Sequence, residues 1–191
     1  MDAHWAPTAG KLTVSVVIPL YNEQENLPEL DRRLRATLEP LNVAYEIVYI
    51  NDGSRDQTLS ILQGLAQDGR HLVVNLSRNF GHQAAVSAGI DHARGETVVV
   101  MDGDLQDPPE LIPAMLEQWR AGNDVVYAVR RNRKESAWKR IAYFAFYRLL
   151  NHLSHVPIPE DFGDFSLMAR RVIDTIKASP ERNRFVRGLR A

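Results

Sequence analysis

Thr97 to Glu110 reads TVVVMDGDLQDPPE, and this stretch decides the fold. Val98 to Met101 is short, rich in β-branched residues and apolar throughout, the pattern of a central strand covered on both faces. The chain then turns acidic at once: Asp102, Asp104 and Asp107 fall within six positions, with Gln106 among them. Pro108-Pro109 opens a helical pattern over Glu110 to Arg120, proline being tolerated in a first helical turn. Carboxylates therefore gather at the carboxyl end of a buried strand, the edge where open α/β sheets bind ligands. From Glu96 through Glu117 there are six acidic residues and no Lys or Arg, so the loop has no counter-charge in its own sequence. A bound dication is the usual remedy, and hard oxygen donors suit Mg2+ or Mn2+. An EF-hand starting at Asp102 fails, because its sixth position is Asp107 where Gly is needed and its twelfth is Pro113 where Glu is needed.

Upstream, three more strand patterns alternate with helices. Leu12 to Leu20 is a buried strand running into the polar turn Tyr21-Asn22-Glu23, and the helix Glu25 to Leu38 keeps Leu27, Leu30, Leu34 and Leu38 on one face. Tyr45 to Asn51 is the second strand, ending in Asn51-Asp52-Gly53-Ser54, and Asp56 is placed to cap the helix Gln57 to Gln67. Leu72 to Leu76 is the third, followed by a small-residue helix over Gly81 to Ala93 that can pack closely on a sheet. Asp124 to Arg130 is a fifth strand. Alternating strands and helices with short connections predict right-handed crossovers and a mainly parallel sheet with helices on both faces. The loops PLYNE, NDGS and DGDLQD then share one edge, which brings Glu23, Asp52, Asp102 and Asp104 around one crevice.

Composition excludes several classes. The 191 residues contain no Cys, which removes disulfides, zinc thiolates and thiol catalysis. The six His show no metal-ligand spacing, so each reads as a surface or core residue. No G-x-G-x-x-G and no P-loop is present. Residues 1–11 read as a disordered arm without a signal peptide, and 12–191 as one domain. Net charge is only -1, yet Arg130 to Arg148 carries seven Lys or Arg against Glu135 alone, a basic face suited to anionic partners. The longest apolar run, Ile141 to Tyr147, is too short to span a bilayer, which takes about 20 residues.

The segments IPLYNE (Ile18 to Glu23), INDGS (Ile50 to Ser54), NFGHQAAVSAGID (Asn79 to Asp91) and VVVMDGDLQDPPE together resemble the family 2 glycosyltransferases. Within that family the chain is similar to polyprenyl-phosphate sugar transferases, the dolichyl-phosphate mannose synthases and undecaprenyl-phosphate glucosyltransferases. The resemblance implies a Rossmann-like nucleotide-sugar transferase fold with a D-x-D metal motif. It implies that Pro19, Tyr21 and Glu23 hold the nucleobase and ribose, and that Ile50 and Asp52 contact the nucleoside. Asp102, Gly103, Asp104 and Gln106 would surround donor diphosphate and Mg2+ or Mn2+, with Asp102, Asp104 and Gln106 as metal ligands. The expected activity is inverting transfer of a sugar, from UDP-glucose by preference, to a polyprenyl phosphate at the cytoplasmic membrane face. No nucleic-acid partner is expected.

By the same resemblance Arg130, Lys139 and Arg140 face the acceptor phosphate. The aromatic, basic segment 136–153, from Ser136 to Leu153, reads either as an amphipathic helix packed on the domain or, with its interleaved Trp and Tyr, as a helix lying on the membrane surface, and the second reading accounts better for its aromatic excess. PEDFGDFSLMARR matches a family signature but has Ser166 where arginine is usual. Asp164 is retained, either to orient the attacking phosphate or contact the sugar, or to cap or bridge neighbouring arginines; Asp104, Asp164 and Arg130 form the expected catalytic set. Because relatives continue into a C-terminal transmembrane region, the chain is expected to be a truncated form that binds nucleotide and metal but turns over poorly. The rival readings are a family 2 transferase acting on a sugar hydroxyl with Glu160 or Asp161 as base, an aspartyl-phosphate phosphatase built on Asp102, and a noncatalytic basic adaptor at a membrane or nucleic acid.

Overall fold

The computed structural model describes residues 12–129 and 162–179. Arg130, Lys139, Arg140, Glu160, Asp161, the segment 136–153 and the arm 1–11 lie outside the described residues. The six strands are β1 (Val14–Leu20), β2 (Tyr45–Asn51), β3 (His71–Asn75), β4 (Thr97–Val100), β5 (Val125–Val129) and β6 (Phe162–Ala169). They form one sheet in the order β3-β2-β1-β4-β6-β5. The helices are α1 (Leu27–Leu38), α2 (Thr58–Leu65), α3 (His82–His92), α4 (Ile112–Arg120) and α5 (Arg170–Ala178).

The mixed sheet has a parallel half, β3-β2-β1-β4, and one reversed strand, β6, antiparallel to both β4 and β5. Val172, Ile173 and Ile176 carry the helical spacing of α5, whereas β6 is not legible in local sequence, because Gly163, Asp164 and Ser166 are poor strand formers. Pairing with β4 overrides that propensity: Val100 lies opposite Ser166 and Val98 opposite Met168.

Both faces of the sheet are covered, as the unbroken apolar strands require. On one side Val16, Ile18, Tyr49, Val99 and Leu167 pack with the leucine stripe of α1, Leu62 of α2 and Ile112 and Leu116 of α4. On the other, Val17, Ile50, Val98, Val100 and Met168 pack with Ala85, Val86 and Ile90 of α3 and Ile173 and Ile176 of α5. Gly89 lets α3 sit close, since a Cβ there would stand 2.4 Å from Val17 Cγ1 and 2.5 Å from Ile50 Cδ1. The expected helix from Glu110 divides into a 3-10 turn, Pro109–Leu111, and α4, since Pro113 has no N–H to continue a ladder and instead opens α4 near its first turn. Among the described residues no helix is long and apolar enough to cross a membrane.

The chain leaves β1 towards β2 and β3 on one side and returns to β4 on the other. The carboxyl ends of β1 and β4 therefore flank the switch point of the sheet, where a crevice forms.

Candidate active site

Three loops at this edge are stitched together. Asn22 takes a left-handed turn with φ 57°, donating its N–H to Ser54 Oγ at 3.0 Å and accepting from Arg55 N–H at 2.8 Å. Glu23 N–H donates to Thr58 Oγ1 at 2.9 Å and Gln24 N–H to Asp56 Oδ2 at 3.2 Å. Asp56 also receives Thr58 N–H on Oδ1 at 3.0 Å, so it serves the start of α2 and the β1 loop at once. The third loop is held by Asp52, buried at the end of β2, whose two oxygens accept the N–H groups of Phe80 at 2.8 Å and Gly81 at 3.0 Å. Gly53, at φ 67°, keeps the contact open: a Cβ would meet Arg78 C at 2.4 Å. The expected nucleoside contact at Asp52 therefore has a prior structural duty, fastening the loop that leads into α3.

The other expected nucleotide positions divide by exposure. Tyr21 is 42% exposed at the rim, and Glu23 accepts from Asn26 Nδ2 at 2.7 Å through one carboxylate oxygen. Pro19 and Ile50 face each other across β1 and β2 and are buried, with Ile50 packed under α3. Gly103 lies over Leu20, whose Cδ2 a Cβ would meet at 2.4 Å.

The acidic loop has an internal support that sequence reasoning passed over. Asp107 is buried and its Oδ2 accepts Asp102 N–H at 3.2 Å, while exposed Asp104 accepts Gln106 N–H on Oδ1 at 3.0 Å. Between them Leu105 adopts φ 64°, a conformation uncommon for a side chain of this kind.

Asp102 points to two residues from other elements. His82 Nε2, on the first residue of α3, lies 2.9 Å from Asp102 Oδ1. Asp164 enters from β6: since Ser166 pairs with Val100 at the end of β4, Asp164 falls just beyond that end. One ligand atom each from His82, Asp102 and Asp164 lies within 4.8 Å of the others. Two carboxylates and one imidazole on three elements fit a divalent ion of the Mg2+, Mn2+ or Fe2+ type. The structure thus joins Asp102 and Asp164, which the sequence placed in different roles, and adds His82, which composition alone had read as a surface or core residue. Asp104 stands outside this cluster, folded onto its own loop. The signal available for His82 was its place at a helix start directly after the third polar loop.

The model of glycosyl transferase family 2 matches residues 15–177. An uncharacterised glycosyltransferase of Synechocystis sp. is 48% identical over 180 residues, covering 93% of this chain and 57% of that protein. The prophage bactoprenol glucosyl transferase homologue of Escherichia coli K12 is 43% identical over 180 residues, covering 93% and 59%. The chain therefore spans a little over half the length of these relatives. The structure of the mannosyltransferase PcManGT from Pyrobaculum calidifontis in complex with GDP-Man and Mn2+ superposes with a TM-score of 0.62 at 21% identity, covering 94% of this chain and 51% of that one, a likeness of fold. With the strand order, the stitched loops and the acidic edge all in place, the chain belongs to glycosyl transferase family 2.

Proposed function

We propose that this chain moves a hexose, glucose by preference, from a nucleoside diphosphate sugar, UDP-glucose by preference, to a polyprenyl phosphate at the cytoplasmic face of a membrane. The observation that carries the reading is the convergence of Asp102 from the donor loop and Asp164 from β6 at the switch point of the sheet. The name of the E. coli relative, a bactoprenol glucosyl transferase homologue, supports glucose and a polyprenyl acceptor. The complex of PcManGT supports a nucleotide sugar with a divalent cation.

In this reading Tyr21 and Glu23 take the nucleobase and ribose, and Asp52 holds the loop around them. Asp102, Asp104 and Gln106 would hold a divalent cation at the donor site, with Gly103 giving close backbone approach. A bound Mg2+ or Mn2+ supplies Lewis-acid stabilisation of the departing diphosphate. Arg130, Lys139 and Arg140 position the acceptor phosphate. A phosphate oxygen forms the new bond to the anomeric carbon as the bond to the diphosphate oxygen breaks, and the electron pair leaves with the nucleoside diphosphate, inverting the centre. A lipid monophosphate is already ionised at neutral pH, so Asp164 is not needed to remove a proton; it would orient the phosphate through a cation shared with Asp102.

The test is calorimetric titration with UDP-, GDP- and dTDP-sugars with and without Mn2+, followed by transfer assays with polyprenyl phosphate. Cation-dependent donor binding and a glycolipid product are expected. In a chain extended to the length of its relatives, Arg130→Ala should reduce lipid-phosphate transfer far more than donor binding. Transfer to a soluble sugar without lipid phosphate would refute the acceptor assignment.

A further inference from the structure

The reading above gives the cation oxygen donors alone. We propose that His82 is a nitrogen ligand of that cation, sharing it with Asp102 and Asp164, and that it makes the site favour Mn2+ over Mg2+. The inference rests on the metal-dependent reading of the same site.

The position of His82 is set by rigid structure. Asp52 fastens the preceding loop through Phe80 and Gly81, Gly81 turns the chain at φ 93°, and Gly89 seats α3 against Val17 and Ile50. The imidazole consequently arrives beside Asp102 from a well-packed helix. Opposite ligands of an octahedral ion with bonds of about 2.1 Å stand about 4.2 Å apart. The three ligand atoms lie within 4.8 Å of one another, so rotamer adjustments suffice to close them on one ion.

A histidine ligand needs its other nitrogen to donate, which leaves the metal-facing nitrogen its lone pair. Gln83 supplies that partner. Its side-chain Nε2 lies 3.4 Å from His82 Nδ1, and its Oε1 is buried without a hydrogen-bond partner among the described residues. The amide oxygen and nitrogen exchange places by rotation. Turned so, Oε1 accepts His82 Nδ1–H. Mg2+ prefers an all-oxygen shell and keeps its waters, whereas imidazole donors gain along the series that starts at Mn2+. A nitrogen ligand therefore discriminates between the two cations.

The experiment is Mn2+ electron spin echo spectroscopy, with Mn2+ and Mg2+ affinities, on the chain with UDP and separately with GDP. Wild type, His82→Ala, His82→Gln and Asp102→Asn are compared. Directly bonded imidazole nitrogen should modulate the wild-type echo and vanish in both His82 variants. Mn2+ binding should weaken at least about tenfold, the low end of what losing even an outer-shell partner costs, while Mg2+ binding changes less. The Gln variant keeps a donor towards Asp102, so recovery of wild-type Mn2+ affinity in it would show that His82 only orients Asp102 and would overturn the proposal. Bound Mn2+ without nitrogen modulation would overturn it too, leaving the oxygen-ligand site intact. A wild-type chain that takes up no Mn2+ with either nucleotide, indistinguishable from Asp102→Asn, defeats the metal-dependent reading and this inference together.

Discussion

Asp52 accepts the backbone N–H of Phe80, 28 positions downstream, at 2.8 Å, and so ties the end of β2 to the loop after β3. Its second oxygen takes the next amide, Gly81, and the guanidinium of Arg78 lies 4.6 Å from the centre of the Phe80 ring. Removing the carboxylate orphans two N–H groups at about 1–3 kcal/mol each. Asp52→Ala is therefore expected to lose about 2–6 kcal/mol of stability in thermal melts, with the amides of residues 80 and 81 exchanging freely with deuterium. Retained protection of those two amides would contradict the fastening role.

Asp104 is exposed and gives Oδ1 to Gln106 N–H within its own loop, so a cation can reach its other oxygen. Asp104→Asn should abolish the Mn2+-dependent part of nucleotide affinity in calorimetry while leaving the melting temperature nearly unchanged, because the side chain is exposed. Unchanged affinity would remove Asp104 from the metal shell.

Gly89 has no room for a methyl group between α3 and the sheet. Gly89→Ala should destabilise by about 1–3 kcal/mol, the usual cost of overpacking a core. Because α3 carries His82, the same variant should also weaken cation binding. Denaturant titration and Mn2+ affinity measured together check both effects.

A buried ionic cluster under β2 sets the acid limit of the fold. His71, nearly fully buried, lies between Asp31 at 2.7 Å and Asp68 at 2.6 Å, Tyr49 O–H donates to Asp31 at 3.1 Å, and Arg35 Nε to Asp31 at 2.9 Å. Burial of Asp31 opposes its ionisation, but the hydrogen bonds and charges of His71 and Arg35 outweigh it and hold the carboxyl below its usual value. Asp68 is likewise lowered, burial being outweighed by Arg70 N–H, His71 and Arg35. A depressed folded pKa gives stability that is present above the unfolded value, about 3.9, and is lost as pH falls through the folded one. Melting temperature should accordingly drop below about pH 4, with a shallower acid dependence in Asp31→Asn. At the other end, burial and Asp31 push the Tyr49 hydroxyl well above its usual value, so its contribution holds below about pH 10 and is lost as pH rises further.

The sequence by itself determined the parallel half of the sheet and the edge that carries the chemistry. Val98 to Met101 ending in Asp102, the leucine stripe of α1 and the small residues of α3 each state their element locally, since hydrophobic period and turn chemistry are properties of neighbouring residues. What only the tertiary structure decided is which distant side chains meet there. β6 enters between β4 and β5 against its own propensity and brings Asp164 to Asp102; α3, seated through Gly89, brings His82; Asp107 turns inward to brace the loop. These partners lie 20 to 62 positions from Asp102 in the case of His82 and Asp164, by the difference of their numbers, and no local pattern encodes such separations. Packing of the whole chain selects them, because burying both faces of the sheet leaves one arrangement of its edges.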